Sequence, residues 1–338
     1  MEIVQKPDPV QSAMQFATGY IASSCVHAIA RLKIADELRD GARSVSDLAV
    51  KTGTNEDILY RILRALASAG LFAETEPRTF VNTSSSQVLR SDHPSGMLKM
   101  ILWMCDALHF DVYRDMMPTL LNGKPAIEQV FRKPAFDVIF GNPETAETFN
   151  DAMTTLSSMV IPAVLENYDF SGIGTLADIA GGHGFVLTSI LSKHRDMRGI
   201  LFDLDHVLKG AKDRIEKMGL ASRVQTVAGD FFQNVPTADA YVMKHIIHDW
   251  DDDRAITILK NCAVHLKPGG KVILLESVLA PGNEPHLGKW IDIEMFMMPG
   301  GKERTEQEFK QLFEKAGLKL NRVVPTKSPL SVVEAVKA

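Results

Sequence analysis

The sequence predicts an α/β fold: a doubly wound, mostly parallel sheet in the C-terminal half, behind an α-helical N-terminal part with a winged helix-turn-helix pattern. Three observations predict it. After Tyr168, short apolar runs alternate with helical ones, and strands alternating with helices make βαβ units and a parallel sheet. The first of those strands runs directly into "AGGHGF", a glycine turn that opens a helix. Before Tyr168 the hydrophobic spacing is helical, apart from one two-stranded segment.

A chain of 338 residues suits two domains better than one. Its 45% hydrophobic and 23% charged residues are the profile of a soluble globular protein with a proper core. A formal charge of −5 argues against a surface that tracks phosphates. Cys25, Cys105 and Cys262 lie far apart without metal-type spacing, each in an apolar helical context, which predicts buried thiols in a reducing compartment. Pro9 to Ala30 lacks Asp, Glu, Lys and Arg, but Gln11, Gln15, Thr18, Ser23 and Ser24 interrupt it. A membrane span needs about 20 predominantly apolar residues, so this stretch predicts a helix buried against protein. No basic-then-apolar leader order is present, and a cytoplasmic location follows.

In "SVSDLAVKTGTNEDILYRILRALASAGLF", Ser46 is placed to cap a short helix, and Gly53 and Thr54 to turn the chain. Ile58, Leu59, Ile62, Leu63 and Leu66 give the second helix one apolar face, which Gly70 ends. "LFAETEPRTFVNT" then reads as a two-stranded wing. Met1 to Met100 holds 11 basic and 11 acidic residues, and the would-be recognition helix opens with Glu56 and Asp57. Those charges repel a DNA backbone, so a scaffold or dimer contact is favoured over DNA binding. Residues 96–168 are helical and rich in Met and aromatic side chains, which serve equally well as core or as the lining of a pocket for flat apolar ligands.

Further on, strands are predicted at Thr175–Ala180, Ile200–Asp203, Val224–Ala228, Ala240–Met243 and Lys271–Glu276. Arg322–Pro325 and Ser331–Val336 predict a terminal hairpin with one antiparallel edge strand. Gly181, Gly182 and Gly184 follow the first strand, and Asp203 ends the second, where a carboxylate can accept both hydroxyls of a ribose. The dinucleotide fingerprint fails, because its last glycine position is Leu187, and no Gly-Lys-Ser/Thr marks a phosphate loop. Asp230, in "AGDFF" beside Phe231 and Phe232, suits an adenine: a carboxylate near the exocyclic amine and an aromatic against the ring. A strand-end Asp that merely caps a helix is the alternative.

"KHIIHDWDDDRA" places His248 just past the fourth strand, on the ligand-binding rim. It is either a helix-start histidine, with Asp249 or Asp251 capping, or a proton acceptor. Taken together, "LADIAGGHG", "FDLD", "AGDFF", "KHIIHDWDDD", "LLES" and "PGGKERTEQEF" resemble, in order and spacing, the S-adenosylmethionine-dependent small-molecule O-methyltransferases. That family includes plant caffeate and flavonoid enzymes, acetylserotonin methyltransferase, and bacterial polyketide and carotenoid-pathway members. The resemblance covers almost the whole chain.

The resemblance implies a class I methyltransferase domain at 169–338, a helical, substrate-lining linker at 96–168, and a winged-helix-like dimerisation domain at 1–95. It implies a homodimer using S-adenosyl-L-methionine and a small hydroxylated acceptor, without metal, nucleic acid or membrane. Gly181, Gly182, Asp203, Gly229, Asp230, Phe231, Lys244 and Ser157 fall at cofactor-facing positions. Phe136, Met153, Met295, Met298 and Asp249 fall on the acceptor side, within a Met-rich wall that includes Phe296 and Met297. His248 matches the base, and Glu276 and Glu303 the two acids beside it. The chemistry is coherent: a neutral phenol, of pKa near 10, is a poor nucleophile, and an imidazole can take its proton as the methyl arrives. A carboxylate then fixes the imidazole tautomer. Asp251, Asp252 and Asp253 read as helix-start charges, Trp250 as core and His245 as a rim or packing residue. Ala180 stands where many members have a first glycine, and fits if its φ is negative. Two rivals remain: a non-catalytic winged-helix regulator that senses the cofactor, and a methyltransferase-fold enzyme with other chemistry.

Overall fold

The computed structural model describes residues 8–338, so the first seven residues of the N-terminal region lie outside the described residues. The chain divides into two compact units, Met1–Asp111 and Val112–Ala338.

In the first unit, a helix over Pro9–Arg31 starts with proline in its first turn and the Asp8 carboxylate accepting from the Val10 N–H. Only Ile29 and Ala30 of this helix are buried; Val10, Met14, Phe16 and Tyr20 are exposed. The helix is thus buried only at its last turn, because the small core of Ile34, Leu38, Val45, Leu48, Leu63, Phe72 and Phe80 reaches no further along it. Val45–Thr52 is capped by Ser44 and not by Ser46: the Ser44 Oγ accepts from Asp47 N–H at 3.1 Å. Gly53, at φ +66°, ends that helix.

The helix Glu56–Ser68 buries Leu59, Leu63 and Leu66 but leaves Ile58 exposed, since Ile58 stands one residue round from that stripe. Strands β1 (Arg43–Ser44), β2 (Phe72–Glu76) and β3 (Thr79–Asn82) form the wing in the order β1-β3-β2. Arg78, at the β2–β3 turn, pairs with Glu56 at 2.8 Å and with Asp57 at 3.3 Å. Of the cysteines, Cys262 alone is fully buried; Cys25 and Cys105 are half-buried, each near a helix surface or end.

The second unit is built on β4 (Thr175–Ile179), β5 (Arg198–Asp203), β6 (Val224–Ala228), β7 (Ala238–Lys244), β8 (Leu266–Glu276), β9 (Leu318–Pro325) and β10 (Ser331–Lys337). Their order is β6-β5-β4-β7-β8-β10-β9. β4 to β8 run parallel, and β10 is antiparallel to both its neighbours. The antiparallel strand is therefore interior and the edge is β9, which corrects the expected edge placement. Val332, Val333 and Ala335 of β10 are buried to both sides, whereas in β9 only Leu318 is fully buried.

Alternate residues of each central strand feed two cores. Ala177, Ile179, Phe202, Tyr241 and Met243 face the helices Asp252–His265 and Glu306–Lys315. Leu176, Leu201 and Val242 face Phe185–Lys193 and the long helix Pro143–Asn167. Strand order reverses between β4 and β7, and ligands bind at the carboxyl ends of strands at such a point. Among the described residues, no helix is long and apolar enough to cross a membrane.

Candidate active site

The carboxyl ends of β4 and β7 each finish in a left-handed residue: Ala180 at φ +53° and His245 at φ +54°. The condition under which alanine would fit at position 180, a negative φ, is not met. A Cβ in this region is crowded against the following carbonyl, at a cost of about 1–2 kcal/mol. The chain keeps that strain at the two places where it must turn sharply out of the sheet.

Beyond Ala180 the glycine turn is shaped for a close approach. Gly182 has φ +57°, and a side chain added there would point into open space. Its N–H donates to the Asp203 carboxylate at 2.8 Å, and Leu204 N–H donates to the other oxygen at 2.7 Å. A methyl at Gly181 would collide with Leu201 and Asp178, and one at Gly229 with the ring of Phe202. Burial raises Asp203 above the ordinary carboxylate range, opposed by the two N–H bonds. Asp178, beneath the turn, accepts from Leu187 N–H and is pushed up to about 7, chiefly by burial.

Across β5, Asp230 follows Gly229 and accepts from Phe232 N–H at 2.8 Å, a local turn with the rest of its carboxylate exposed. Phe231 and Phe136 both pack near Trp250, their ring centres 6.0 and 5.7 Å from the indole. Trp250, read as core, is half-buried, and its indole N–H is buried without a partner. An open glycine rim, a carboxylate at the strand end to accept from ribose hydroxyls, and a second carboxylate next to aromatic residues to accept from the exocyclic amine are the groups an adenosine requires. The residues fit the implied cofactor.

The second group centres on His248, in a one-turn 3-10 helix over Ile247–Asp249. His248 Nδ1 is 2.7 Å from Glu303 Oε1 and 3.8 Å from Glu276 Oε2. Its Nε2 lies 3.5 Å from Asp249 Oδ1. Glu276, at the end of β8, accepts from Ile246 and Ile247 N–H at 3.1 and 2.9 Å and so pins the turn to the sheet. The second carboxylate oxygens of Glu276 and Glu303 are buried and have no hydrogen-bond partner. Burial raises both acids, Glu303 to about 8 with Asp292 adding to it and Arg304 opposing. Lys244, half-buried at the end of β7, is pushed down to about 8 by burial, against the pull of Glu276, Asp178 and Asp249.

His245 stacks on His248, ring centres 4.7 Å apart and planes 9° from parallel. Burial, with Lys244 and His248 beside it, holds His245 well below the ordinary imidazole range. His245, His248 and Glu276 each place a donor atom within 4.8 Å of the others. The stacked rings direct their in-plane lone pairs along parallel planes rather than at one point, and Glu303 already engages His248 Nδ1.

The turn's support was not visible in the residue types alone. Arg304, 1% exposed, donates to the Ile247 carbonyl at 3.0 Å and the Trp250 carbonyl at 2.8 Å, on either side of His248. It also pairs with Asp252 at 2.9 Å, so that acid serves the clamp while Asp251 caps the helix. Lys302 N–H donates to the His248 carbonyl at 2.9 Å. Glu303 N–H donates to Asp292 at 2.8 Å. Gly301 lies so close to this backbone that no side chain fits. The only sequence signal for these residues was their place in "GGKERT".

Of the acceptor-side residues, the Met295 carbonyl accepts from Gly300 and Gly301 N–H, and Met298 is buried. Met153 and Ser157 lie one turn apart on Pro143–Asn167, joined by a bond from the Ser157 hydroxyl to the Met153 carbonyl. Among the described residues, no hydrogen bond ties either to the His248 cluster.

Residues 113–319 match a family model described as an O-methyltransferase domain, and residues 14–92 match an O-methyltransferase dimerisation domain. The phenazine O-methyltransferase of Lysobacter antibioticus is 40% identical over 323 residues, covering 95% of this chain and 94% of that one. The mitomycin biosynthesis 6-O-methyltransferase of Streptomyces lavendulae is 30% identical, covering 93% and 90%. A solved methyltransferase of calicheamicin biosynthesis, with S-adenosylhomocysteine bound, superposes with a TM-score of 0.86 at 33% identity, covering 98% of this chain and 100% of that one.

Proposed function

The chain belongs to the O-methyltransferase family, and on that footing we propose that it methylates a phenolic hydroxyl of a small fused aromatic, with His248 as the base. The observation that carries the base assignment is the 2.7 Å contact of His248 Nδ1 with Glu303: with that carboxylate ionised, it holds the proton on Nδ1 and leaves the Nε2 lone pair for an acceptor.

S-Adenosylmethionine supplies an electrophilic methyl carried on a sulfonium. Asp203 accepts the ribose hydroxyls and Gly181, Gly182 and Gly229 let the backbone come close. Asp230 and Phe231 receive the adenine, and Lys244 and Ser157 hold the remainder. Phe136, Met153, Met295 and Met298 enclose a flat acceptor and keep water from it, with Asp249 as the polar contact. His248 takes the hydroxyl proton at Nε2 as the oxygen attacks, and Glu303 and Glu276 steady the imidazolium. Alignment of acceptor and donor supplies much of the remaining acceleration. The 40% identity to a phenazine O-methyltransferase favours a hydroxylated phenazine or a comparable ring system.

The working form is a homodimer joined through the N-terminal unit, whose helix Pro9–Arg31 carries exposed Val10, Met14, Phe16 and Tyr20. The three free cysteines suit the cytoplasm.

The test is a mass-spectrometric screen of hydroxyphenazines and hydroxynaphthoic acids with isotope-labelled cofactor. A product carrying the label on oxygen is expected. A product changed in mass without the labelled methyl would instead mean diverted chemistry.

A further inference from the structure

We propose that Asp249 is the group through which the acceptor's proton leaves the site once His248 has taken it. This rests on His248 being the base and adds the route out. The two imidazole nitrogens face different surroundings. On the Nδ1 side stand Glu303 and Glu276, both with 0% of the side chain exposed. On the Nε2 side, at 3.5 Å, stands Asp249, with 18% exposed. A proton that arrives at Nε2 therefore meets one carboxylate that also touches water. Among the described residues, the Asp249 carboxylate makes no hydrogen bond that would commit it elsewhere.

The steps balance. The O–H bonding pair of the acceptor stays on oxygen and forms the O–C bond, while the C–S pair leaves with sulfur. The proton passes to His248 Nε2, then to Asp249 Oδ1, then to water. That returns a neutral imidazole and a carboxylate, with no change of oxidation state. Four titratable groups face Asp249: His248 in the same turn, Glu276 from β8, Glu303 from the loop before Glu306–Lys315, and Lys244 from β7. Burial pushes Asp249 up to about 7, with His248 and Lys244 pulling down and the two glutamates pushing further up. A carboxyl so placed can hold and release a proton near neutrality, as efficient proton transfer demands.

The experiment compares native enzyme, D249N and D249E in steady-state methylation of a monohydroxyphenazine at neutral pH, with rising imidazole buffer. Native turnover should ignore buffer concentration. D249N should lose kcat by about tenfold to a hundredfold, beyond any change in KM from the altered contact to the acceptor, and regain it as buffer rises. D249E, which keeps a carboxylate, should lose less kcat than D249N, and an equal loss in the two overturns the proposal. A D249N enzyme with native kcat overturns the proposal. So does one whose loss lies only in KM and does not respond to buffer, because Asp249 is then a contact to the acceptor and nothing more.

H248A separates the two readings. If it remains active, the base assignment fails and the exit with it; if it is inactive while D249N is native, only the exit fails. Infrared difference spectra of native minus D249N enzyme need no acceptor. They should show a carboxylic C=O band titrating at about 7, and its absence overturns the proposal as well.

Discussion

Replacing Gly301 by alanine adds one methyl group where the chain has no room for it. The new Cβ would lie 1.9 Å from the carbonyl oxygen of His248, 2.4 Å from the carbonyl carbon of Asp249 and 2.6 Å from the amide nitrogen of Trp250. All three are backbone atoms of the turn that carries the base, so no side-chain rotation relieves the overlap. Contacts under 3.0 Å are essentially never seen, and the loop and turn must part by about 1 Å. Such a movement stretches both the Lys302-to-His248 backbone bond of 2.9 Å and the His248–Glu303 contact of 2.7 Å. Misplacing a reacting group by about 1 Å costs on the order of a hundredfold in rate. Overpacking of this kind costs roughly 1–3 kcal/mol in stability.

We expect G301A to lose about a hundredfold in kcat and 1–3 kcal/mol in urea unfolding. Calorimetric affinity for S-adenosylmethionine should stay within about twofold of native, because the glycine turn and Asp203 stand on β4 and β5. A folded G301A with native kcat would refute the view that this loop holds the base in register. A loss confined to cofactor affinity would refute it too.

Two further outcomes are expected. Ala180→Gly should raise stability by about 0.5–1 kcal/mol, the relief of left-handed strain less the added unfolded-state freedom, and a lower urea midpoint would contradict that. Stability should also depend on pH with an unusual sign. Asp178 and Asp249 are held at about 7, mainly by burial, so the folded chain keeps protons that the unfolded chain releases above about 3.8. Their contribution is present at acid pH and is lost as pH rises from about 4 through about 7. Glu334 works in the opposite sense: despite its burial, hydrogen bonds from Tyr168, Asn321 and Arg322 hold it at about 2, so its contribution is lost as pH falls from 4.5 toward 2. The urea midpoint of cofactor-free D249N should therefore fall less, or climb more, from about pH 4 to about pH 7 than that of the native protein; identical pH profiles contradict the assignment.

The parts of the fold that were legible in the sequence are those set by local periodicity. The five parallel strands, the glycine turn and the wing follow from apolar runs and turn residues a few positions apart. What could not be read depends on residues far apart in sequence. β10 takes the interior position because its burial on both faces is decided by β8 and β9 together, while either order would satisfy the hairpin. Arg304 looks like any charged residue in a loop, and its role as a buried clamp exists only once "KHIIHDW" folds back over it. Ser44 and Ser46 offer the same hydroxyl to the same helix, and the strand pairing of Arg43–Ser44 with β3 selects the first. The sign of φ at Ala180 is a backbone property that no side-chain pattern reports. At the site, His248, Glu276 and Glu303 converge because β7, β8 and the glycine-bearing loop end on one rim, and only the family's motif order linked them beforehand.

The central claim is that the imidazole of His248 removes the acceptor proton while other residues hold the cofactor. The most direct measurement is single-turnover methyl transfer by H248A, alongside calorimetry of cofactor binding on the same preparation. The account predicts cofactor affinity close to native and transfer slowed by about 10²–10⁴-fold. Native-speed transfer by H248A would contradict it.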